Sequence, residues 1–424
     1  MQPFSFIHAA DLHIDSPFVG VTAAESAPEG LGEALHASTF QAFDRLIQTT
    51  LEQEADFLLV GGDVYDGQDR SLRAQLRFRD GLARLTEAGV SCYIVHGNHD
   101  PLEGHVSELG WPEGCHFFGR TTESVAAMGR RGAPVATISG ISYRTREEGR
   151  NLARTFGAAQ NGLFQIGLLH TNVDGQAGHG NYAPCTLADL RAARMDYWAL
   201  GHVHTRSVLG EKPWVVYPGN TQGRSVREQG PRGCYVVRVD EEGEARLEFI
   251  ALDGVRWTEL TIDIETADTA DALERLLRQE IDAAATAAEG RALVCRVQLV
   301  GRGRLHAELR REKALEQWLE RLREGLAARE PFVWLQRLTA RTRPEVDIET
   351  RMQRGDLLAE VLTIASEYRT EEGALSRLYE EALGELWGNT RIERAQLPPP
   401  SGEELAAVLR EAELLCLDHL EGEE

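Results

Sequence analysis

Short apolar runs recur along the first 252 residues, and segments with helical periodicity separate several of them. Runs such as FSFIHA, DFLLV and CYIV are typical of buried strands. Residues 36–54 and 71–88 instead carry apolar side chains three and four positions apart, as one face of a helix does. Further strand-like runs crowd together at 197–202, 214–217, 233–240 and 245–252. The pattern predicts an α/β fold for this part of the chain.

A smaller segment of the same kind follows. Its patterns come in the order strand, helix, strand, helix, strand, at 255–264, 271–288, 292–301, 312–328 and 332–342. An alternation of this kind indicates a sheet covered by helices. We therefore predict a small α/β cap domain here.

Toward the end of the chain the pattern becomes helical throughout. Apolar residues lie on one helical face over 357–368 and again over 375–387. The three prolines at 398–400 mark a hinge, and residues 402–420 predict a last, acidic helix. Helices this apolar must pack against another surface. That surface is either the chain's own cap domain or a partner protein, and periodicity does not decide between them.

Length and composition bound the organisation. The chain has 424 residues, too many for one typical domain, and we divide it into a first domain (1–253), a cap domain (254–343) and a helical region (344–424). No apolar stretch reaches the roughly 20 residues that span a bilayer, and the N-terminus lacks the pattern of a signal peptide. We expect a soluble, cytoplasmic protein with no membrane contact. The cysteines, interpreted as buried thiols in a reducing compartment, are Cys92, Cys115, Cys185, Cys234, Cys295 and Cys416.

Five short polar clusters each follow one of the strand-like runs directly. They are Asp11-Leu12-His13, Gly62-Asp63, Gly97-Asn98-His99-Asp100, His170 and Gly201-His202-Val203-His204. Because ligands gather at the carboxyl ends of strands in open α/β sheets, loops from five strands can reach one crevice. Together the clusters supply enough carboxylate, imidazole and amide groups for two divalent metal ions, an arrangement that proteins commonly use to cleave phosphoesters.

The types of donor narrow the chemistry. Two ions about 4 Å apart need a ligand that bridges them, and a carboxylate offers two anionic oxygens on a short stem. Asp63 is the candidate bridge. Neutral imidazoles complete each shell without repelling an anionic substrate, and Asn98 adds a neutral oxygen. This mixture of oxygen and nitrogen ligands suits Mn, Fe or Zn better than Ca or Mg.

Each of these residues alone would have an ordinary structural explanation. An isolated aspartate such as Asp63 would be a helix cap or a turn residue, an isolated His170 a core histidine, and a Gly-Asn pair a turn. The joint occurrence of all five clusters favours metal binding. The histidines interpreted as structural or surface residues are His8, His36, His96, His105, His116, His179, His306 and His419. Of these, His179 lies with Tyr182 in a Gly-rich loop that could border the cleft.

In order and spacing, the five clusters resemble the pattern of the calcineurin-like metallophosphoesterases: D-x-H, G-D-x-x-D, G-N-H-D/E, H and G-H-x-H. The runs DLHIDSP (11–17), GDVYD (62–66) and YPGN (217–220) are similar to one branch, the SbcD-type DNA repair nucleases, and more narrowly to the YhaO-like proteins. The resemblance covers roughly the first 250 residues. It implies a two-sheet αββα sandwich, followed here by the cap domain and the C-terminal helices.

The resemblance also implies roles for individual residues. One metal ion would be bound by Asp11, His13, Asp63 and His204. The second would be bound by Asp63, Asn98, His170 and His202. His99 would lie beside the substrate and assist the leaving oxygen, and Asp100 would orient its ring. Mn²⁺ is the expected metal.

The implied activity is that of a phosphodiesterase acting as a DNA exonuclease or endonuclease in DNA repair. A hydroxide that bridges the two ions would attack phosphorus in line with the leaving sugar oxygen, and His99 would protonate that oxygen. The C-terminal helices would dock onto the coiled-coil base of an SbcC-like SMC-type ATPase. A homodimer is a further expectation from SbcD-like proteins.

The acidic charge of the chain leaves other functions open. The net charge is −22, and neither half is basic, as an independent nucleic-acid binder would be. The arginines that could form a local track, or simply pair with glutamates on a solvated surface, are Arg144, Arg146, Arg206, Arg224 and Arg227. The same metal site would serve a small-molecule phosphodiesterase or a phosphoprotein phosphatase. A non-catalytic scaffold is the third hypothesis, although such a protein would not need His99 and Asp100.

Overall fold

The computed structural model of the chain describes residues 1–18, 30–67, 71–104, 109–176, 180–371, 373–387 and 400–420. His105, His179 and the prolines at 398 and 399 lie outside the described residues, as do the side chains of 383–387. The chain divides into two compact units, one of Met1–Gly301 with Ala307–Thr342 and one of Arg302–His306 with Arg343–Glu424. The division into three domains at 253 and 343 stays a prediction.

The first unit contains two six-stranded sheets. The first sheet consists of β1 (Phe4–Ala9), β2 (Phe57–Val60), β3 (Ser91–Ile94), β4 (Cys115–Phe117), β11 (Gly233–Val239) and β12 (Ala245–Ala251). Their order is β12-β11-β1-β2-β3-β4, with β1 to β4 parallel and β11 antiparallel to β1. The second sheet consists of β5 (Glu123–Met128), β6 (Pro134–Ile141), β7 (Phe164–His170), β8 (Tyr197–Gly201), β9 (Ser207–Glu211) and β10 (Trp214–Tyr217). Its order is β5-β6-β7-β8-β10-β9.

Two long helices cover the outer face of the first sheet, α1 (Leu31–Glu52) and α2 (Leu72–Glu87). Phe43 of α1 and Phe78 of α2 belong to one buried cluster with Leu58 of β2. Full burial of a side chain of this size contributes about 1.5–3 kcal/mol. The apolar faces of both helices therefore hold them on the sheet.

Aromatic side chains fill the space between the two sheets. The ring of Phe6 stacks on Phe57 with centroids 5.2 Å apart and meets Tyr197 of the second sheet edge-on, also at 5.2 Å. On the outer face of the second sheet, Trp198 is buried beneath the short helix α3 (Leu187–Ala192). The layers therefore run helix, sheet, sheet, helix, and the predicted two-sheet α/β sandwich is confirmed.

The register of the parallel strands brings their carboxyl ends to one edge of each sheet. In the first sheet Ala9 lies beside Val60, and Val60 lies beside Ile94. In the second sheet His170 lies beside Gly201. Because these residues end their strands, the polar clusters that follow them start from adjacent positions.

The remainder of the first unit is a three-stranded parallel sheet with its helices. Its elements are β13 (Val255–Asp263), α4 (Ala270–Ala287), β14 (Ala292–Val300), α6 (Ala314–Leu326) and β16 (Val333–Ala340), together with all but the first residue of α5 (His306–Leu309). Strands and long helices follow in the order that the sequence predicts. This middle segment joins the sandwich through a buried cluster that includes Phe18, Leu35, Val226, Trp257 and Trp334.

The second unit begins with a short pairing and continues as helices. Its elements are β15 (Arg302–Gly303), paired with β17 (Arg343–Pro344), and α7 (Ile348–Met352), α8 (Leu357–Thr370), α9 (Ala374–Trp387) and α10 (Gly402–Leu420). Helices α8 and α10 bury Leu358, Leu362 and Leu417 together. The predicted helical C-terminal region is confirmed. Within the described ranges, none of the helices combines the length and apolar character that crossing a membrane requires.

Candidate metal centre

The loops that follow the parallel strands hold several predicted ligands in strained backbone conformations. Residues other than glycine rarely adopt a positive φ. Four of the seven predicted ligands do so, namely Asp11 (51°), His13 (42°), Asp63 (51°) and His202 (101°). Such strain persists only where the surroundings over-determine it, and it clusters at functional sites. The backbone therefore indicates a functional site at this edge of the sandwich.

One side of the cluster brings His13 and His204 together. Their Nε2 atoms lie 3.2 Å apart. Asp63 Oδ2 lies 3.9 Å from the Nε2 atom of His13, and Asp11 Oδ1 lies 3.9 Å from that of His204. Two imidazoles bound to one ion by bonds of about 2.1 Å have nitrogens roughly 3–3.4 Å apart. The spacing of the two nitrogens fits ligands of a single ion.

The other side gathers His170, His202 and Asn98. Asn98 Oδ1 lies 3.0 Å from His170 Nε2 and 3.1 Å from His202 Nδ1. Asp63 Oδ2 lies 3.4 Å from His170 Nε2. Asp63 therefore stands beside both groups, where a bridging carboxylate would have to be.

Each of the four histidines has its second ring nitrogen beside an acceptor. The contacts are His13 Nδ1 to Asp66 Oδ1 (3.0 Å), His204 Nδ1 to Glu228 Oε1 (2.7 Å), His170 Nδ1 to Gly61 O (2.8 Å) and His202 Nε2 to Gly180 O (2.7 Å). Metal-binding histidines typically donate their second N–H in this way, which fixes the tautomer and aims the other nitrogen at the ion. The donors and their outer contacts fit two divalent ions.

Burial and neighbouring charges set the protonation of these groups. Burial lowers the pKa of His13 to about 3, so this imidazole is neutral, as a metal ligand must be. Burial raises the pKa of Asp11 to about 6. Burial also acts to raise the pKa of Asp63, but His170 holds it well below its usual range. Burial acts to lower the pKa of His170, but the charge and hydrogen bond of Asp63, with Asp11 and the carbonyl of Gly61, together raise it to about 9. The cluster is built to hold positive charge beside Asp63.

His99 lies at the rim of the cluster. Its side chain is 29% exposed, its backbone N–H donates to Asp63 Oδ1 at 2.8 Å, and its Nδ1 lies 3.4 Å from Asp66 Oδ1. Asp100 is buried, and its two carboxylate oxygens accept hydrogen bonds from the backbone N–H groups of Gly97 and Val64. The structure thus places Asp66 at the ring of His99. The role of Asp100 in orienting that ring stays a prediction.

Sequence reasoning missed two acidic residues behind the histidines. Asp66 lies three residues after Asp63 and forms the last position of the G-D-x-x-D motif, so the motif does carry a signal for it. Glu228 lies 24 residues after His204, its partner, in a loop with no strand-like run before it. No pattern in the sequence marks Glu228.

Two residues outside the motifs also lie near the cluster. His8 is buried, with Nδ1 3.0 Å from the hydroxyl of Tyr197 and Nε2 3.1 Å from the carbonyl of Leu200. It is a core histidine, as the sequence suggests. The ring of Tyr182 lies 5.8 Å from the ring of His202, so Tyr182 borders the cluster.

The arginines near the motifs differ in their surroundings. Arg144 pairs with Glu103 at 2.6 Å, and Arg206 stacks 3.9 Å over the ring of Phe249. The side chain of Arg224 is only 16% exposed and lies behind the histidines. Arg224 is therefore not part of an open basic surface.

Comparison with protein families agrees with the fold. Residues 4–206 match the model of the calcineurin-like phosphoesterases, and residues 257–343 match that of the middle domain of the metallophosphoesterase YhaO. The chain belongs to the calcineurin-like metallophosphoesterase family, and the predicted resemblance is confirmed. In particular, it is similar to the uncharacterized metallophosphoesterase YhaO of Bacillus subtilis, with 37% identity over 351 residues, 82% of this chain and 84% of that protein.

More distant relatives cover less of the chain. The DNA double-strand break repair protein Mre11 of Thermoplasma acidophilum is 26% identical over 241 residues, which is 51% of this chain and 60% of that protein. A solved structure, a dimetal phosphatase from Danio rerio, aligns with 57% of this chain and 98% of its own at 13% identity and a TM-score of 0.35.

Proposed function

We propose that this chain binds two divalent ions, with Mn²⁺ as the metal in the cell, and hydrolyses phosphodiesters in DNA. One ion would be bound by Asp11, His13, Asp63 and His204, and the other by Asp63, Asn98, His170 and His202. The observation that carries the proposal is the orientation of the four imidazoles. Each has an acceptor oxygen within 3.0 Å of its outer nitrogen and turns its inner nitrogen into the cluster.

When bound, two such ions supply a nucleophilic water of lowered pKa and neutralise charge on the phosphoryl oxygens. The chain's own contribution is to position groups and to move a proton. His99 stands at the exposed rim, and its backbone N–H is anchored on Asp63. With Nδ1 facing Asp66, the Nε2 of His99 is the atom that would donate a proton to the leaving sugar oxygen.

DNA is proposed as the substrate because of two observations. The runs at 11–17 and 62–66 are similar to those of SbcD-type nucleases, and the chain is similar to a protein named for repair of DNA double-strand breaks. The alternative is a small-molecule phosphodiesterase or a phosphoprotein phosphatase. The net charge of −22 favours that alternative, because neither substrate requires a basic surface.

We also propose three parts for the chain: a catalytic domain (1–253), a cap domain (254–343) and a partner-docking region (344–424). The family matches to 4–206 and 257–343 support the first two, and the compact unit that resumes at Arg343 supports the third. All six cysteines are free thiols, which supports a reducing, cytoplasmic location.

The C-terminal helices offer apolar side chains for a partner. The large apolar side chains exposed on α8 and α10, with their exposed fractions, are Leu357 (68%), Ile364 (47%), Val408 (59%), Leu415 (52%) and Leu420 (53%). Leu357 and Ile364 lie seven residues apart on α8, and Val408 and Leu415 lie seven apart on α10, so each pair shares one helical face. We propose an SbcC-like SMC-type ATPase as the partner of these faces. Light scattering of the chain alone tests this choice. A dimer that Leu415→Asp dissociates would assign these side chains to a second copy of the chain instead.

Cleavage of end-labelled linear DNA in Mn²⁺ tests the proposed function. We expect cleavage by the wild type that a chelator abolishes. His99→Ala should lose most of the turnover with its metal content unchanged, and His170→Ala should lose turnover with a lower metal content. His116→Ala is the matched control, because the described side-chain contacts of His116, Glu123 and the ring of Phe118, include no candidate ligand. Hydrolysis of a generic phosphodiester without DNA cleavage would favour the small-ester alternative. A metal-loaded chain that hydrolyses neither would contradict the proposal.

A further inference from the structure

Residues 219–229, called here the support loop, lie behind the histidines of the first candidate ion. Arg224 is the central side chain of this loop. Its Nη1 lies 2.9 Å from Asp66 Oδ1, and its Nη2 lies 3.4 Å from His204 Nδ1 and 3.6 Å from Glu228 Oε1. Its backbone N–H also donates to Glu228 Oε2 at 2.7 Å. One guanidinium therefore joins two carboxylates that stand far apart in the sequence.

These two carboxylates are the outer partners of two histidines assigned to the same ion. Asp66 contacts His13, and Glu228 contacts His204. Both carboxylates are largely buried. Removal of Arg224 would take one positively charged partner from each of them, which is unfavourable for a buried negative charge. The planar fork of an arginine can engage two acceptors at once, which the point charge of a lysine cannot do as well.

The middle segment holds the support loop from its other side. Trp257 Nε1 donates to the carbonyl of Gly223 at 2.8 Å. The side-chain amide of Gln222 donates to the carbonyl of Val255 at 2.7 Å and accepts from the N–H of Gly254 at 2.8 Å. Trp257 and Val255 both belong to β13.

Gly223 shows how close this contact is. A Cβ at Gly223 would lie 2.7 Å from the carbonyl oxygen of Glu228 and 3.1 Å from Cδ1 of Trp257. Gly223 is therefore packed between β13 and Glu228, the residue of the same loop that contacts His204, with no space for a side chain.

We propose that Arg224 is a positioning residue that holds His13 and His204 through Asp66 and Glu228, and that β13 holds Arg224 in place through the support loop. The first strand of the middle segment is then part of the framework of the metal centre. This inference rests on the metal site proposed above and is independent of the substrate.

Calorimetric titration of the full chain with Mn²⁺ tests the inference. Loss of an outer contact of a metal ligand typically weakens affinity about 10–100-fold. We expect Arg224→Gln to lower the affinity for one of the two ions by that factor and to leave the affinity for the other unchanged. The affinity of Arg224→Lys should lie between those of Arg224→Gln and the wild type. Trp257→Phe, which removes the hydrogen bond to Gly223 and part of a buried ring, should weaken binding of the same ion about two- to tenfold. Arg227→Gln removes an exposed charge from the same loop and should change neither affinity.

One control variant and three outcomes decide the inference. His170→Ala should lower the affinity for the ion whose binding Arg224→Gln leaves unchanged. If Arg224→Gln binds both ions as the wild type does and instead raises KM for a phosphodiester, Arg224 contacts substrate and the inference is wrong. If Arg224→Gln lowers the affinity for one ion but Trp257→Phe lowers neither affinity, the role proposed for β13 is wrong. A wild type that takes up no ion would overturn the proposed function itself, and this inference with it.

Discussion

Gly97 lies among the candidate ligands at a point where no side chain fits. A Cβ there would lie 2.3 Å from Asp63 Oδ1 and 2.7 Å from His170 Nε2. Contacts this short cannot be relieved without moving one of the two ligands. The arrangement of the candidate metal centre therefore requires a residue without a side chain at position 97.

Gly97→Ala should weaken Mn²⁺ binding by at least about tenfold, because the methyl group displaces Asp63 or His170. Calorimetry on the purified variant measures the effect. Gly119→Ala is the matched control, since nothing lies within 4 Å of a Cβ at Gly119. Unchanged affinity in Gly97→Ala would show that the ligand cluster is not arranged as described.

His8 should make the stability of the protein depend on pH. Burial lowers its pKa from 6.5 to about 3 in the folded state, so the unfolded chain takes up the proton first. The free energy of unfolding should therefore fall as the pH drops from about 6.5 toward 3, by up to about 1.4 kcal/mol per pH unit. Urea unfolding at several pH values should show this extra slope in the wild type and not in His8→Gln. Equal slopes would contradict the assignment.

Single residues also show which parts of the candidate site could be predicted from the sequence. The clustering of Asp11, His170 and His204 could be predicted, because each is a side chain suited to metal binding that follows an apolar run. Their outer contacts could not. His170 is held by the carbonyl of Gly61, 109 residues away, and a backbone carbonyl leaves no signature in the sequence. Glu228 reaches His204 only through the folding of a long irregular loop.

At the scale of elements, prediction succeeds where local pattern and packing agree. Helix α2 was expected at 71–88 and spans Leu72–Glu87. Helix α1 was expected to begin at residue 36 but begins at Leu31, because Leu31 and Leu35 pack into the cluster with Trp257. That contact with the middle segment is tertiary and outweighs the weak helical preference of the nearby glycines.

Two edge strands were harder to predict, because their sequences carry no strong local pattern. Strands β4 and β5 lie at the edges of their sheets, and most of their side chains are half-buried or exposed. They therefore lack the continuous apolar run that marks a buried strand. Only hydrogen bonding to a neighbouring strand, which a sequence does not display, makes them strands.

Helices α8 and α10 are joined by an ion pair that should be essential for their packing. Arg369 of α8 pairs with Glu413 of α10, whose side chain is 1% exposed. Arg369→Leu would leave Glu413 without that partner and should destabilise the helical unit by about 3 kcal/mol. Hydrogen exchange should become faster in both helices and stay unchanged in β1 and β2. The double variant Arg369→Leu/Glu413→Leu should recover most of the protection, and equal exchange in wild type and single variant would contradict the role of the pair.

At the scale of the whole molecule, charge and motif point in different directions. The net charge of −22 is unfavourable for an independent DNA-binding protein, whereas the motif runs resemble those of DNA repair nucleases. A metal centre and a partner bound to the C-terminal helices would reconcile the two, since both add affinity that the surface of the chain lacks. Sequence patterns alone cannot weigh these contributions, because each depends on what the chain binds.

The number of metal ions bound per chain tests the central claim most directly. Elemental analysis after incubation with Mn²⁺ and removal of free ions should find two per chain in the wild type and in His116→Ala. Asp63→Asn should bind fewer, because Asp63 stands beside both ligand groups. A wild type that retains no Mn²⁺, or an Asp63→Asn variant that still retains two, would contradict the account.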